Sequence, residues 1–312
     1  MASVDVSVCV VSCNCRELLR ASLCTLADAA PGRELEVIVA DNASNDGTRE
    51  MVTEGFPTVM FLAQPRNVGF ATAMNRAVAE SSGRLIAWLN PDCEVEAGAL
   101  GRLADELDER ADVDVVAPRL VYPDGRIQLS CGTLPRLRDA VWDNLGLSAL
   151  FPRSRVFNGH RLGHWSYDET RDVAWASGAC LMMRRDAWER VGALDEQFFM
   201  YCEELDWFVR LHEQGGRVLF VPDATVKHRH AAITSRDPRQ AALWGHQSKF
   251  RLFRKHHGRA AECALRFLTL VGSAARLTLA STAWLMGIRA RRRHAERAAL
   301  LAAVCRCCVS CA

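Results

Sequence analysis

Charge of one sign is the first thing this sequence lacks. Its 39 Lys and Arg stand against 37 Asp and Glu, a formal net charge of +2 over 312 residues. No global field of that size draws a protein to nucleic acid, so no nucleic-acid partner is expected. The common phosphate and nucleophile signatures are missing as well. No G-x-G-x-x-G follows the first strand, which argues against a dinucleotide site. No G-x-x-x-x-G-K-[ST] occurs, which excludes a P-loop, and no G-x-S-x-G elbow is present for a hydrolase. An H-x-E paired with P-C-x-x-C, the deaminase pattern, is also absent. The start, "MASVDVSVCVV", has neither a basic n-region nor a cleavable apolar stretch, so no signal peptide is expected. Internal repeats and low-complexity linkers are lacking too. Cysteine is plentiful, at 13, but a cysteine framework is not. Cys9, Cys24 and Cys180 sit in apolar runs, where a thiol behaves as a small hydrophobe. Cys13 and Cys15 have no second pair at zinc-ribbon distance. The tail "CRCCVSCA" has no His or acid close by and reads as a mobile or membrane-apposed end. Free thiols in this number point to a reducing, cytoplasmic setting.

What is present is an ordinary globular composition, 49% hydrophobic and 24% charged, able to bury a core. Residues 6–11, 35–40, 58–62 and 84–89 read as strands. Between them lie helical patterns over 16–29, after Thr48, and over the Ala-rich stretch ending at Gly83. A helix over 97–110 and a strand over 113–122 continue the alternation, which is that of a doubly wound α/β sheet. Residues 126–172, with Pro135, Pro152, Gly159 and Gly163, read as a mostly irregular loop, and loops of that length are usually functional. A strand through "VAWASGACLMMRR", a short helix at 186–191, a helix from about Glu203 and one or two strands in "RVLFVPDATVKH" follow. The expected organisation is one domain over 1–258, with halves 1–125 and 126–258, and a helical region with a Cys-rich tail over 259–312.

Acids stand where such a sheet binds ligands, outside the carboxyl ends of its strands. Asp41 ends the second strand. Asp92 follows Leu85-Ile86-Ala87-Trp88-Leu89 and the stiff exit Asn90-Pro91. Glu203, Glu204 and Asp206 open a helix, and His228 closes a late strand. Each has a plain structural reading: turn residue for Asp92, helix-dipole partners for the three acids, solvated basic patch for His228 with Arg229 and His230. Taken jointly they suit Mn²⁺ or Mg²⁺ carrying a diphosphate, since such ions prefer one or two carboxylates plus phosphate oxygens and Mn²⁺ tolerates imidazole. A further carboxylate would serve as general base for an attacking hydroxyl.

These motifs resemble a known family. "VSVCVVSCNCRELLRASL", "VIVADNASNDGT", "NVGFATAMNRA" and "LIAWLNPDCEV" are similar to the N-terminal blocks of the family 2 inverting glycosyltransferases. "WASGACLMMRRDAWERVGALDEQFFMYCEELDWFVRLHEQGGRVLFVPDATVKH" is similar to their acceptor-side block. The rhamnosyltransferase-like branch, which builds cell-wall and surface polysaccharides, matches best, from about residue 5 to 257. The resemblance implies a GT-A (Rossmann-like) fold: a mixed, mainly parallel sheet with helices on both faces, here with a C-terminal helical appendage. It implies a nucleotide-diphosphate sugar donor, with dTDP-rhamnose first, and a glycan or lipid-linked glycan acceptor. Carried over, Ser12 and Asn14 grip the nucleotide. Asp41 reads the base, with Asn42 and Ser44 in its turn. Asn67 and Gly69 lie under the nucleotide, with Asn75 on the helix behind. Asn90-Pro91-Asp92 takes the place of the D-x-D motif, so Asp92 holds the metal and His228 completes the site. Trp175, Ser177 and Gly178 fall near the donor sugar and acceptor. The base is the second acid of a Glu-Asp pair in the family. Here the pair is Glu203-Glu204, so Glu204 is expected as base, with Glu203 and Asp206 as alternates.

A processive synthase of the same fold would need several spanning helices and Q-x-x-R-W, and "QAALW" lacks the Arg. A pyrophosphorylase would open on a Gly-rich loop, and "VVSCNC" is not one. A catalytically decayed, nucleotide-sugar-binding scaffold is the remaining alternative. Residues 265–288 divide into a polar face (Arg266, Thr269, Ser273, Arg276) and an apolar face (Leu268, Val271, Ala275, Leu279). With Arg289, Arg291, Arg292, Arg293 and Arg297 beyond, the expectation is a helix lying on an anionic membrane surface through 265–297. A helix packed on the core or on a partner, and a spanning helix, are the other readings. Attachment would be peripheral, at the inner face of the plasma membrane.

Overall fold

Valine-rich β1 (Val6–Ser12) is buried along its whole length, as a strand covered on both faces must be. It is the centre from which the architecture grows. In the computed structural model, which describes residues 4–229, 237–285 and 291–309, the chain runs on through α1 (Arg16–Cys24), β2 (Leu35–Asp41), α2 (Thr48–Gly55), β3 (Met60–Ala63), α3 (Phe70–Ala79) and β4 (Leu85–Leu89). There follow β5 (Cys93–Val95), α4 (Ala99–Glu109), β6 (Val115–Val121), β7 (Cys131–Gly132), α5 (Leu137–Asn144), α6 (Leu147–Leu150), β8 (Arg171–Asp172), β9 (Trp175–Ala176) and β10 (Cys180–Arg184). The chain continues through α7 (Arg185–Val191), α8 (Glu203–Glu213), β11 (Val218–His228), α9 (Pro238–Leu285) and α10 (Arg291–Val309). It divides into two compact units. One holds the residues through Leu134, Trp165–Phe199 and those from Glu203 through β11. The other holds Pro135–His164, Met200–Cys202 and the C-terminal helices.

The first unit is built on one sheet of order β3-β2-β1-β4-β10-β6-β11-β5, with β8 also on β11. Strands β3, β2, β1 and β4 are parallel. Strand β10 then runs antiparallel to both β4 and β6, and β11 is parallel to β6. Val6, Val8 and Val10 share a core with Leu19 and Leu23 of α1 and with Leu100, Leu103 and Leu107 of α4. On the opposite face Trp88 meets Trp188 of α7 and Trp207 of α8 edge-on, at 5.8 and 6.2 Å between ring centres. Both faces are therefore covered by helices, and the ligand edge of the sheet is its exposed rim.

Residues 126–172 contain more structure than expected. Besides two short strands they form α5 and α6, which belong to the second unit. Helix α5 starts where the Asp139 carboxylate accepts the Arg136 amide at 2.9 Å, an N-terminal cap supplied from the third helical residue. Its Ala140 is buried with Phe250, Phe253 and Leu265 of α9 and Val304, Cys307 and Cys308 of α10.

In α9 the amphipathic division is as expected, and the polar side is the one packed inward. Thr269 and Ser273 are buried, at 3% and 1% exposure, whereas Phe267, Val271 and Leu279 stand out at 65%, 50% and 69%. The reason is the polar character of the neighbours. Arg266 pairs with Glu262 at 2.8 Å, donates to the Cys307 carbonyl at 3.0 Å and covers the Phe250 ring. Arg276 donates to the Asn144 carbonyl at 3.2 Å. Among the described residues, no helix is long and apolar enough to cross a membrane. Arg289, His230 and Cys311 lie outside the described residues, as do the side chains of Arg291, Arg292, Arg293 and Arg297.

Candidate active site

Strand register assembles the site. Ser12 pairs with Asp41 at the carboxyl ends of β1 and β2, so the loops that leave these strands interlock. The Asn42 amide donates to the Ser12 carbonyl at 2.7 Å. Asp41 accepts both the amide and the hydroxyl of Ser44, at 2.8 and 2.5 Å, an Asx-type turn. Ser44 Oγ in turn accepts the Asn14 amide at 2.7 Å, and Asn14 Oδ1 accepts the Asn45 amide at 2.8 Å. Asn14 and Ala43 adopt left-handed φ of 49° and 56° to make this fit, a backbone cost that clusters at ligand sites.

Asn42 reaches the next block, its Nδ2 donating to the Gly69 carbonyl at 3.1 Å. The Gly69 amide donates to Asn67 Oδ1 at 3.0 Å. Gly69 is obligatory: its φ is 87°, and a Cβ there would lie 2.5 Å from the Phe199 carbonyl oxygen. Asn75 is turned elsewhere. Its amide exchanges two 2.9 Å hydrogen bonds with the Leu194 backbone and so braces the approach to α8.

The exit from β4 is held by Ala179, whose carbonyl accepts the Asn90 amide at 2.8 Å and the Cys93 thiol at 3.3 Å. Strand β11 lies antiparallel to β5 with His228 opposite Cys93. This brings His228 Nε2 to 3.4 Å from Asp92 Oδ1, with both side chains buried. Gln128, which sequence reasoning did not identify, fixes the imidazole. Its Nε2 donates to the His228 carbonyl at 2.6 Å, which turns its Oε1 to His228 Nδ1 at 3.0 Å. An amide oxygen there accepts from Nδ1–H, which leaves Nε2 turned toward the Asp92 carboxylate. Asp92, Cys93 and His228 offer ligand atoms within 4.8 Å of one another, and among the described residues no other group of His, Cys and acids does so. The imidazole and carboxylate fit a divalent ion such as Mn²⁺. Burial first, then Cys180 and Asp92, push the Cys93 thiol well above its ordinary pKa, so it stays protonated and donates to Ala179.

Trp175 pairs with Gly132 across β7 and β9, and its indole N–H donates to the Thr133 carbonyl at 3.0 Å. The Ser177 amide donates to the Ser130 carbonyl at 2.7 Å. Gly178 borders the acids of α8: a Cβ on it would touch Glu204 Cβ at 3.8 Å. One short segment, 177–179, thus supports the Asp92 turn through Ala179 and flanks Glu204 through Gly178. Just before Glu203, Tyr201 and Cys202 both have left-handed φ, 69° and 64°, at about 1–3 kcal/mol each. Glu203 is buried; burial first, then the neighbouring Glu204 carboxylate, hold its carboxyl well above the ordinary range. Its Oε2 has no hydrogen-bond partner. Asp206 is fully buried and paired with Arg210 at 3.0 Å. Arg210 also donates to the carbonyls of Val191 and Ala193, at 2.8 Å each, so Asp206 anchors α8 to the segment before it.

Comparison with known proteins places this arrangement. The family model for glycosyl transferase family 2 matches residues 7–158. The N-acetylglucosaminyl-diphospho-decaprenol L-rhamnosyltransferase of Mycobacterium tuberculosis is 32% identical over 259 residues, covering 79% of this chain and 83% of that protein. Among solved structures, the mannosyltransferase PcManGT from Pyrobaculum calidifontis, in complex with GDP-Man and Mn²⁺, superposes with a TM-score of 0.58 at 19% identity, over 99% of this chain and 88% of its own. GalNAc-T7 with UDP, GalNAc and Mn²⁺ gives 0.53 at 16% identity, over 73% and 44%. The fold is GT-A, and this chain belongs to the family 2 glycosyltransferases, which are inverting enzymes.

Proposed function

We propose that this glycosyltransferase moves L-rhamnose from dTDP-rhamnose to a hydroxyl of a lipid-linked glycan in cell-wall or surface polysaccharide synthesis, with Mn²⁺ or Mg²⁺ at Asp92 and His228. The observation that carries the metal-dependent reading is the buried Asp92–His228 pair, its imidazole oriented by Gln128. The sugar and the lipid-linked acceptor rest on the 32% identical relative, whose name specifies both. The protein would work in the cytoplasm, at the inner face of the membrane that presents such an acceptor.

In this reading Ser12, Asn14 and Ser44 shape the nucleotide pocket and Asp41 reads the base edge. Asn67 and Gly69 allow close approach of backbone to the donor, while Trp175, Ser177 and Gly178 border the sugar. When bound, the ion supplies Lewis-acid neutralisation of the leaving diphosphate. Glu204 takes the acceptor hydroxyl proton on its carboxylate as that oxygen attacks the anomeric carbon in line, which inverts the configuration. Asp206 positions α8 through Arg210, and Glu203 is the buried carboxyl beside the base.

Calorimetry with dTDP, UDP and GDP, with and without Mn²⁺, tests the donor site on wild type and Asp92→Ala. The expected result is preference for one nucleotide, lost without the metal and lost with the substitution. If folded wild type bound none of the three, the donor-site reading would fail and the non-catalytic scaffold would replace it.

A further inference from the structure

The second unit presents an apolar surface that its own core does not explain. Along the second half of α9, Cys263, Phe267, Val271, Ala275 and Leu279 follow one another at four-residue steps, and all are exposed. Steps of four keep side chains on one slowly turning face, so these residues make a continuous stripe about four turns long. Its three large members expose half or more of their surface. A contiguous apolar stripe of this kind marks an interaction site, unlike single exposed leucines.

The chemistry of the occupant follows from the surrounding charge. Residues 238–295 contain 12 Lys and Arg against one acid, Glu262. That acid is buried and paired with Arg266, with Arg254 at 3.8 Å. The rest of the chain holds 27 Lys and Arg against 36 Asp and Glu, so the near-neutral total conceals a strongly basic segment and an acidic remainder. Arg254, Lys255 and Arg259 are exposed just before the stripe, and Arg289 and Arg291–Arg293 follow it in sequence. An apolar stripe bracketed by bases is the pattern of a helix lying in an anionic bilayer surface, with its apolar side in the acyl boundary. A nucleic acid would use the bases but not the stripe. A second copy of this chain would bring like charge against like charge.

We propose that Phe267, Val271 and Leu279 insert into the surface of an anionic bilayer, with the flanking bases contacting lipid headgroups. The inference deepens the reading of a lipid-linked acceptor and rests on it for its purpose, not for its evidence. Arg266 and Arg276 point into the unit, and the apolar side is the one that meets lipid.

The test is flotation of the full chain with phosphatidylcholine vesicles and with vesicles that also contain phosphatidylglycerol, at low and high salt. Wild type is expected to float with the anionic vesicles and to be released partly by salt. The triple variant Phe267→Ser, Val271→Ser, Leu279→Ser should lose at least about tenfold in partitioning, with an unchanged thermal melt because the three side chains are exposed. Equal flotation of the variant would overturn the proposal, as would wild type that ignores anionic vesicles. A wild-type dimer in sedimentation that the triple substitution dissolves, without flotation, would assign the stripe to a second copy instead. Nucleotide calorimetry on the same samples keeps the two readings separable: a chain that floats but binds no nucleotide refutes the donor site and leaves the docking face standing.

Discussion

Helix α4 and the second half of α9 carry the same kind of pattern and use it in opposite senses. In α4, Leu100, Leu103 and Leu107 are buried in the core with the strands, while Asp105, Asp108 and Glu109 lie toward solvent. In α9 the polar residues Thr269 and Ser273 are buried and Phe267, Val271 and Leu279 are exposed. Periodicity divides a helix into two faces. It does not say which face is inner. That is decided by what the neighbouring elements present: apolar strands for α4, but backbone carbonyls of Asn144 and Cys307 for α9. A polar face can pack inward when its groups find partners, and the apolar face is then left for an outside medium.

The largest way to sharpen this contrast lies at the site, where chemistry rather than packing is at stake. Glu204→Gln keeps shape and removes the proton acceptor. Sugar transfer is expected to fall by about 10²–10⁴-fold while nucleotide affinity in calorimetry stays at the wild-type value. A variant with near-wild-type turnover would move the base to another group on α8.

In α9 the comparison predicts an inversion of the usual rule for substitutions. Arg266→Ala removes a half-buried cation from Glu262 and from the Cys307 carbonyl and should cost about 2 kcal/mol in urea unfolding. Phe267→Ser, although it deletes a large hydrophobe, should change stability by no more than about 0.5 kcal/mol, as exposed positions do. The reverse ranking would mean that the helix packs the other way round.

The same distinction separates what was legible in the sequence from what was not. The β1–β2–β4 rim was readable because each piece is local: an apolar run, then a polar turn, with Asp41 or Asp92 at a fixed offset. His228 was readable as a strand end, but its partner Gln128 was not. Their meeting depends on β11 pairing with β6, whose Leu120 carbonyl accepts the Gln128 amide, and no short-range signal announces that role of Gln128. Helices α5 and α6 were hidden in 126–172 because both are short and the buried contacts of α5 are with α9 and α10. Asp206 and Asn75 look like site residues in a motif, yet their groups are engaged by Arg210 and the Leu194 backbone. Motifs record that a residue type is needed, not which neighbour needs it.

The most discriminating effect concerns Glu203, the buried carboxyl beside the base. Burial, then the Glu204 carboxylate, raise its pKa well above the ordinary value of 4.5. In the unfolded chain it ionises at that ordinary value, so above about pH 4.5 folding takes up a proton. A raised carboxyl pKa therefore leaves stability intact below about pH 4.5 and removes it as pH climbs toward the folded value, by about 1.4 kcal/mol per pH unit for one proton. Glu203→Gln carries the protonated shape permanently and has no such slope. Urea unfolding across pH should show the variant equal to wild type in acid and increasingly more stable as pH rises from about 4.5 toward the raised folded value. Parallel curves over that window would show that Glu203 ionises freely in the fold, and that Glu204 works beside a second negative charge rather than a neutral acid.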